Sequence, residues 1–422
     1  MRKNACRTKF DKIINCNFTL AFWFGLLYNI HITFKEANPM KKILALVLAL
    51  VMVLSASAFA AETVKIGIFE PQTGDSGAGG KQEMLGMQYA NVLQPTVEIN
   101  GVEYQVELVA ADNGSSADKA PSAAQQLVSE GVAVVLGSYG SGVSIAGSPY
   151  FADAGIPAIG VTCTNPQVTA GNDHYFRICF LDPFQGTVLA NYAYNDLGVT
   201  TAYCLAELGN DYDVGLVHYF KQAFTALGGM VIDETFPTGT SDFTSYINNA
   251  NAIGAGVFFA PCSIAYSTQI ISQAAAMNAP FTLMGGDTWD SNKVIEAAAG
   301  TNVQIMVSTF YQEGGNAEFD AGFKAWINAN EEALKNNGGN DMISAVSVMG
   351  YDAYFVALEA MKAAGSIAPA DIKAALWNVT FDGVSGAIAF DEIGDAKRDS
   401  CYIKAANTEN AAWDFVAVAS VA

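Results

Sequence analysis

The chain has 422 residues, and its 41 acidic residues outnumber its 21 basic residues, which gives a formal net charge of −20. A chain this acidic repels phosphate backbones and anionic membrane surfaces, so nucleic acid is not an expected partner. The length exceeds what one hydrophobic core usually organises, and this predicts two domains.

Residues 40–60 have the pattern of a secretory signal peptide. Two lysines form its positive start, residues 43–54 form its apolar stretch, and Ala58-Phe59-Ala60 form a cleavage signal. The apolar stretch is shorter than the roughly 20 residues that a membrane-spanning helix needs. We therefore expect cleavage before Ala61 and a soluble periplasmic or extracellular protein, and the cleavage point has no Cys to carry a lipid anchor.

Residues 1–39 precede this leader, and we interpret them as an upstream misassignment of the start, with a genuine N-terminal extension as the alternative. Removing residues 1–60 takes away eight basic and two acidic residues, which leaves 13 basic against 39 acidic and a formal charge near −26. That charge favours a soluble monomer.

The mature part offers little material for metal or catalytic chemistry. It keeps five Cys and two His, with no CxxC pair and no HExxH motif. Zinc sites and catalytic triads depend on such residues, so we expect no metal, no cofactor and no catalytic site. Four of the five Cys lie in or beside strand-like runs, which favours buried thiols over disulfides.

From Thr63 onward, short β-branched runs alternate with alanine-rich amphipathic stretches. The first series reads VKIGIF, helix 81–94, VELVA, helix 117–129, VAVVLG, helix 141–154 and IPAIGV. Strands and helices that alternate at this spacing form a parallel sheet covered on both faces.

A second series of the same type follows residue 181. It reads helix 185–196, TTAYCLA, helix 213–227, GMVIDETF, helix 243–252, AGVFFA, helix 264–277, PFTLMG, helix 291–299 and VQIMVSTFY. Long helices at 317–336 and 343–364, a short helix at 369–377 and terminal strands complete the chain.

The predicted fold is therefore α/β, with two doubly wound parallel-sheet lobes joined by three hinge crossovers. We assign residues 61–181 and 311–400 to lobe I, and residues 182–310 and 401–422 to lobe II.

Candidate binding residues stand where strands meet helices, which is where open α/β sheets bind ligands. The run VAVVLG-SYGSG leads into a helix beginning about Ser141, whose hydroxyl and free amide groups favour a carboxylate. Thr162 and Thr164 follow the next strand, and in the second lobe Asp287 follows a strand and Tyr212 begins a helix. A helix start that binds a carboxylate, placed opposite the acidic Asp287, suits the carboxylate and the ammonium of an α-amino acid. Taken alone, Ser141 and Asp287 are also typical of helix caps, and Tyr212 is also typical of a partly buried aromatic residue.

This arrangement resembles the periplasmic binding proteins of branched-chain amino acid ABC transporters, the leucine/isoleucine/valine-binding type, over essentially the whole mature chain. The motifs that carry the resemblance are IGIFEPQTGDSGAGG, GSYGSG, GIPAIGVTCTNP, NDYDVG and MGGDTWDS. The resemblance implies a type I periplasmic-binding fold. It implies that Ser141, Thr164 and the backbone of Thr162 hold the ligand carboxylate. It also implies that the Thr162 carbonyl, Thr164 and Asp287 meet the ammonium, and that Tyr212 closes over the ligand.

The side-chain pocket departs from that family. Cys262, in the loop Pro261-Cys262-Ser263, stands where the family often has an aromatic residue. Tyr139, Trp289 or Glu70 could line the pocket instead, or serve packing alone.

The expected function is that of an extracytoplasmic solute-binding protein that captures an amino acid, branched-chain or otherwise apolar, and delivers it to an ABC transporter permease. Two alternatives stay open, a soluble ligand sensor and a binding protein for an amide, urea or an aromatic acid. No enzyme is expected. The loop GDSGAGGKQ lacks the spacing of a phosphate-binding loop, and the chain has only near misses to G-x-S-x-G.

Overall fold

The computed structural model describes residues 62–421. The predicted signal peptide and the segment before it lie outside the described residues. The strands are β1 Glu62–Glu70, β2 Thr96–Ile99, β3 Val102–Asp112, β4 Val134–Leu136, β5 Ala158–Gly160, β6 Tyr175–Arg177, β7 Thr201–Glu207, β8 Met230–Phe236, β9 Val257–Phe259, β10 Thr282–Gly285, β11 Gln304–Thr309, β12 Thr380–Gly383, β13 Gly386–Ala389, β14 Ser400–Asn407 and β15 Ala412–Ser420.

The helices alternate with these strands. They are α1 Gly77–Leu93, α2 Ala120–Glu130, α3 Ser141–Asp153, α4 Asp182–Asn191, α5 Asp211–Ala226, α6 Thr244–Ala252, α7 Ile264–Ala276, α8 Asn292–Ala298, α9 Ala317–Ala329, α10 Glu331–Asn336, α11 Ala345–Ala364 and α12 Pro369–Leu376. None of the helices described here is both long enough and apolar enough to cross a bilayer.

The first sheet has the strand order β2-β3-β1-β4-β5-β6. Its strands pair in parallel except for β2, which pairs with β3 in the antiparallel sense. Alternate residues of β1 face opposite ways: Ile66 and Ile68 pack with α1 and α11, while Phe69 packs with α2 and α3. A strand buried on both faces reads as the continuous apolar run seen in the sequence.

The second sheet has the order β15-β14-β11-β10-β9-β7-β8. The five strands from β11 to β8 pair in parallel, and β14 and β15 add an antiparallel edge. Ala202 and Cys204 of β7 pack toward α4 and α5, while Tyr203 and Leu205 pack toward α6, α7 and α8.

The predicted two-lobed α/β fold is confirmed, although each of the two large sheets is mixed rather than wholly parallel, and β12 and β13 form a separate antiparallel pair. The chain leaves the elements of the first sheet after β6, returns after β11 and crosses once more before β14. These are three crossovers, while the exact lobe boundaries assigned from the sequence stay a prediction.

Local details differ from the sequence prediction where side chains compete for the backbone. The single helix predicted at 317–336 is two helices, because the Asn330 side chain accepts hydrogen bonds from the amides of Glu332 and Ala333 and starts a new helix. All five Cys of the described residues are buried and unpaired.

Candidate ligand-binding site

A cavity of about 530 Å³ lies between the two lobes. The first lobe contributes the loop after β1, the loop after β3, and residues 139–143 at the start of α3. The second lobe contributes residues 207–213 at the start of α5, together with Thr238, Ser263 and Thr288. A ligand held here would contact both lobes at once.

Ser141 is the first residue of α3 and lies in the cavity wall. The residue before it, Gly140, provides no side-chain cap, so the first amide groups of the helix keep their affinity for an anion. Ser141 Oγ accepts a hydrogen bond of 3.2 Å from the Asn165 amide. Its own hydroxyl proton is therefore free to be donated to a ligand carboxylate.

Thr162 and Thr164 follow β5 and are fully buried. Thr162 Oγ1 donates a hydrogen bond of 2.5 Å to Glu83 Oε2, whereas Thr164 Oγ1 has no hydrogen-bond partner among the described residues. The segment is held from behind by the buried Arg177, whose Nη1 donates to the Cys163 carbonyl over 3.0 Å. The backbone of this segment is thus fixed in place by a residue that does not line the cavity.

Asp287 begins a short 3₁₀ turn after β10 and is 2% exposed. Tyr212 Oη and Gln185 Nε2 each donate a hydrogen bond of 2.8 Å to it, and both bonds go to Oδ1. Burial raises the pKa of Asp287 to about 6, although these two bonds oppose the shift. The carboxylate is oriented by neutral donors.

No positive charge of the described residues neutralises Asp287. The buried ion pairs in this part of the chain are Arg177–Asp395 and Lys404–Asp290, and neither includes it. A buried carboxylate with only neutral partners suits an external cation, because a cation would offset its cost of desolvation.

Tyr139 links the two lobes. Its hydroxyl donates to the Thr288 carbonyl over 3.3 Å, and its amide donates to Glu70 Oε2 over 2.8 Å. Its ring packs so closely on Gly79 that a Cβ there would lie 2.4 Å from Tyr139 Cζ. Burial and the neighbouring Glu83 raise the pKa of Glu70, and burial raises the pKa of Glu83 to about 7.

The structure brings only part of the predicted set to the cavity. Tyr139, Ser141 and Tyr212 line it, whereas Thr162, Thr164 and Asp287 are not part of the wall formed by the described residues. Asp287 is nevertheless joined to that wall through its hydrogen bond with Tyr212.

Cys262 and Trp289 pack in the core of the second lobe and do not belong to the cavity wall described here. The indole Nε1 of Trp289 donates to the Cys262 carbonyl over 3.1 Å, so the pair fixes the loop after β9. Glu70 is fully buried and contacts Tyr139. This placement favours packing over ligand contact for Cys262 and Trp289.

The wall also contains residues that the sequence did not point to as binding residues, among them Glu207, Asp213 and Ser263. Each lies at the carboxyl end of a strand or near the start of a helix in the second lobe, and such positions indicate a ligand site in an open α/β sheet. Residues 62–421 contain no group of three or more His, Cys, Asp or Glu side chains that could hold a metal ion.

Two α/β lobes that share one cavity define a two-lobed ligand-binding protein. A family model described as periplasmic binding protein matches residues 63–405, and the chain belongs to that family. This is a family of solute-binding proteins rather than enzymes, as predicted.

Individual relatives agree with this assignment. A Leu/Ile/Val-binding protein homolog 1 from Brucella suis biovar 1 (strain 1330) is 29% identical over 354 residues, which cover 83% of this chain and 91% of the relative. The crystal structure of the leucine-binding protein LivK from Thermotoga maritima MSB8 is 30% identical, covers 85% of this chain and 99% of its own, and superposes with a TM-score of 0.76.

A further structure shows the same fold. The branched-chain amino acid transporter substrate-binding protein LivJ from Streptococcus pneumoniae, in complex with isoleucine, is 24% identical, covers 85% of this chain and 99% of its own, and has a TM-score of 0.73.

Proposed function

We propose that this chain is an extracytoplasmic solute-binding protein that captures an amino acid between its two lobes and presents it to the permease of an ABC transporter. The observation that carries the proposal is Asp287, a buried carboxylate of the second lobe oriented by Tyr212 and Gln185 and lacking a cationic partner among the described residues. The start of α3 on the first lobe supplies hydrogen-bond donors, which suit a negatively charged group.

These two features complement the two charges of an amino acid. The Ser141 hydroxyl and the amides at the start of α3 are donors suited to a carboxylate, while Asp287 Oδ2 is an acceptor suited to an ammonium. The relatives named above bind leucine or isoleucine or are named for leucine, isoleucine and valine, so these three amino acids are among the candidates.

Because the two polar ends belong to different lobes, the ligand stabilises the closed arrangement. A permease that recognises the closed conformation can distinguish ligand-bound from ligand-free protein. A ligand changes the balance between the open and closed conformations only if it binds one of them better. The acidic mature part argues for a soluble monomer that does not bind nucleic acid, exported by the leader at residues 40–60.

A thermal-shift screen of the purified protein tests this proposal. The protein is unfolded, dialysed and refolded to remove carried-over ligand, then melted with each of the twenty amino acids, urea, short amides and aromatic acids. A ligand at 100 times its Kd adds about 2.7 kcal/mol to the free energy of unfolding, which raises the melting temperature clearly.

A shift with one or a few amino acids supports the proposal. A shift with urea, amides or aromatic acids alone would leave a solute-binding protein whose ligand does not need Asp287, and the amino acid proposal would fall.

A further inference from the structure

The cavity wall carries an unusual balance of charge. Of the wall residues, five are acidic, and within residues 62–421 no Lys, Arg or His belongs to the wall. The acidic residues are Asp75, Asp118, Glu207, Asp211 and Asp213. A basic side chain, Lys119, lies beside the wall, since its Nζ would be 3.0 Å from a Cβ at Gly114. An apolar side chain would leave this concentration of negative charge unmatched.

Two buried polar groups in this wall lack partners. Asp213 is 1% exposed, and its Oδ2 accepts a hydrogen bond of 3.0 Å from the Glu207 amide, but its Oδ1 has no partner in the described part of the chain. Ser263 is 5% exposed, and its Oγ is likewise unpartnered there. Buried polar atoms are normally paired, so an unpaired carboxylate oxygen beside a cavity points to a ligand donor.

A third acceptor lies beside them. Tyr266 Oη lies 3.1 Å from Glu207 Oε1 and 3.3 Å from Asp75 Oδ2 of the opposite lobe, while it accepts a hydrogen bond from the Gly239 amide. A hydroxyl has one proton, so it can satisfy only one of these two carboxylates at a time. Glu207 also accepts hydrogen bonds from Thr238 Oγ1 over 2.7 Å and from Asn210 Nδ2 over 3.1 Å. Asp75 is therefore the carboxylate that depends on Tyr266 for a donor among the described residues.

Resting on the proposed function, we infer that the wall formed by Asp75, Glu207, Asp213 and Ser263 is a second cation subsite, which selects amino acids whose side chain ends in an ammonium or guanidinium group. The α-carboxylate would lie at Ser141 and the α-ammonium at Asp287. The side chain would extend into the cavity of about 530 Å³ toward the start of α5.

The chemistry of the subsite fits this class of ligand. An ammonium has three donors and a guanidinium has five, which suit the open acceptors on Asp213 and Ser263 and the carboxylate of Asp75. Burial, with the neighbouring Glu207 and Asp182, raises the pKa of Asp213 well above its ordinary value, and a cationic side chain beside it would favour the ionised carboxylate.

Calorimetric titration of the refolded protein with lysine, arginine and leucine tests the inference. We expect lysine or arginine to bind more tightly than leucine by about tenfold or more, which is ~1.4 kcal/mol per factor of ten. Asp213→Asn and Asp75→Asn are each expected to weaken binding of the basic amino acid by about tenfold and to change leucine binding little. Asp75 is exposed, so its variant is not expected to disturb folding.

Asp196→Asn is the matched control, because Asp196 is an exposed acid of the second lobe outside the cavity wall. It should leave binding of both ligands unchanged. Tight binding of leucine with no binding of lysine or arginine would overturn the subsite and leave the proposed function standing. Binding of no amino acid at all would overturn the proposed function itself.

Discussion

Tyr212 Oη donates a hydrogen bond of 2.8 Å to Asp287 Oδ1, so two residues that lie 75 positions apart in the chain form one unit of the second lobe. Tyr212 lies in the cavity wall, and Asp287 is buried behind it. Tyr212 and Gln185 both donate to Oδ1 of Asp287, and neither donates to Oδ2. The carboxylate of Asp287 is thus joined to the cavity wall by its hydrogen bond with Tyr212.

Asp287→Asn should make the free energy of binding an amino acid less favourable by about 2–5 kcal/mol, because the ligand ammonium loses its buried charged partner. Tyr212→Phe should cost less, about 1.5–3 kcal/mol, since it removes one hydrogen bond to a charged group. Titration calorimetry on the refolded proteins measures both, with urea unfolding as the control for folding. Unchanged affinity in Asp287→Asn would remove this residue from the site.

Ligand affinity should depend on pH through Asp287. Burial raises its pKa to about 6 in the ligand-free protein, and only the ionised form pairs with an ammonium. Affinity should therefore be level above about pH 7 and fall by up to about tenfold per pH unit below pH 6. Titrations between pH 5 and 8 check this, and Asp287→Asn should flatten the profile. A wild-type affinity that stays constant down to pH 5 would contradict the assignment.

The ligand-free protein should be more stable at mildly acidic pH than at pH 8. Burial raises the pKa of Asp182 to about 8, of Glu83 to about 7 and of Asp287 to about 6, whereas carboxyls in an unfolded chain titrate near pH 4. Between these values the native state binds more protons than the unfolded state, so the free energy of unfolding falls as the pH rises from about 4 to 8.

Melting curves of ligand-free protein across this pH range measure the effect. Asp182→Asn should reduce the slope, because the variant has no carboxyl to ionise. Stability that increases from pH 5 to pH 8 would show that these buried carboxyls do not determine how the free energy of unfolding depends on pH.

Asp395→Ala should lower the free energy of unfolding by about 3–5 kcal/mol, because it leaves the buried Arg177 guanidinium uncompensated. In the native protein Arg177 Nε and Nη2 reach the two carboxylate oxygens at 2.7 and 3.0 Å, and both side chains are buried. Urea unfolding measures the loss. Lys65→Ala, which removes an exposed ion pair with Glu130, is the control and should cost at most ~1 kcal/mol.

Gly79→Ala should weaken ligand binding without unfolding the protein. A Cβ at this position would lie 2.4 Å from Tyr139 Cζ, so the ring must move and its hydrogen bond to the Thr288 carbonyl of the opposite lobe is lost. Tyr139→Phe loses the same bond while keeping the ring, and it should cost about 0.5–1.5 kcal/mol. Calorimetry compares the two variants, and equal affinity in both and the parent would show that Tyr139 does not support closure.

Much of the fold was predictable because its signals are local. Runs such as VAVVLG are apolar on every residue, as strands covered on both faces must be, and Ser141 begins its helix where the pattern places it. The division of the long helix at Asn330 was missed, because a side-chain cap competes with an otherwise continuous helical pattern.

The site was less predictable than the fold. Tyr139, Ser141 and Tyr212 line the cavity, but the equally predicted Thr162, Thr164 and Asp287 do not belong to its wall. Cys262 is directed into the core by its packing with Trp289. That outcome depends on which face of a loop packs inward, which residue order alone does not specify.

The sequence by itself determined the two-lobed α/β architecture, the acidity of the molecule and the positions of the strand ends, since these follow from local periodicity and composition. Only the tertiary structure decided that Asp287 is joined to Tyr212 and Gln185, and that Asp75 of one lobe lies beside Tyr266 and Glu207 of the other. These contacts join segments up to 191 residues apart, and they exist because packing of separate helices and strands brings their ends to one cavity.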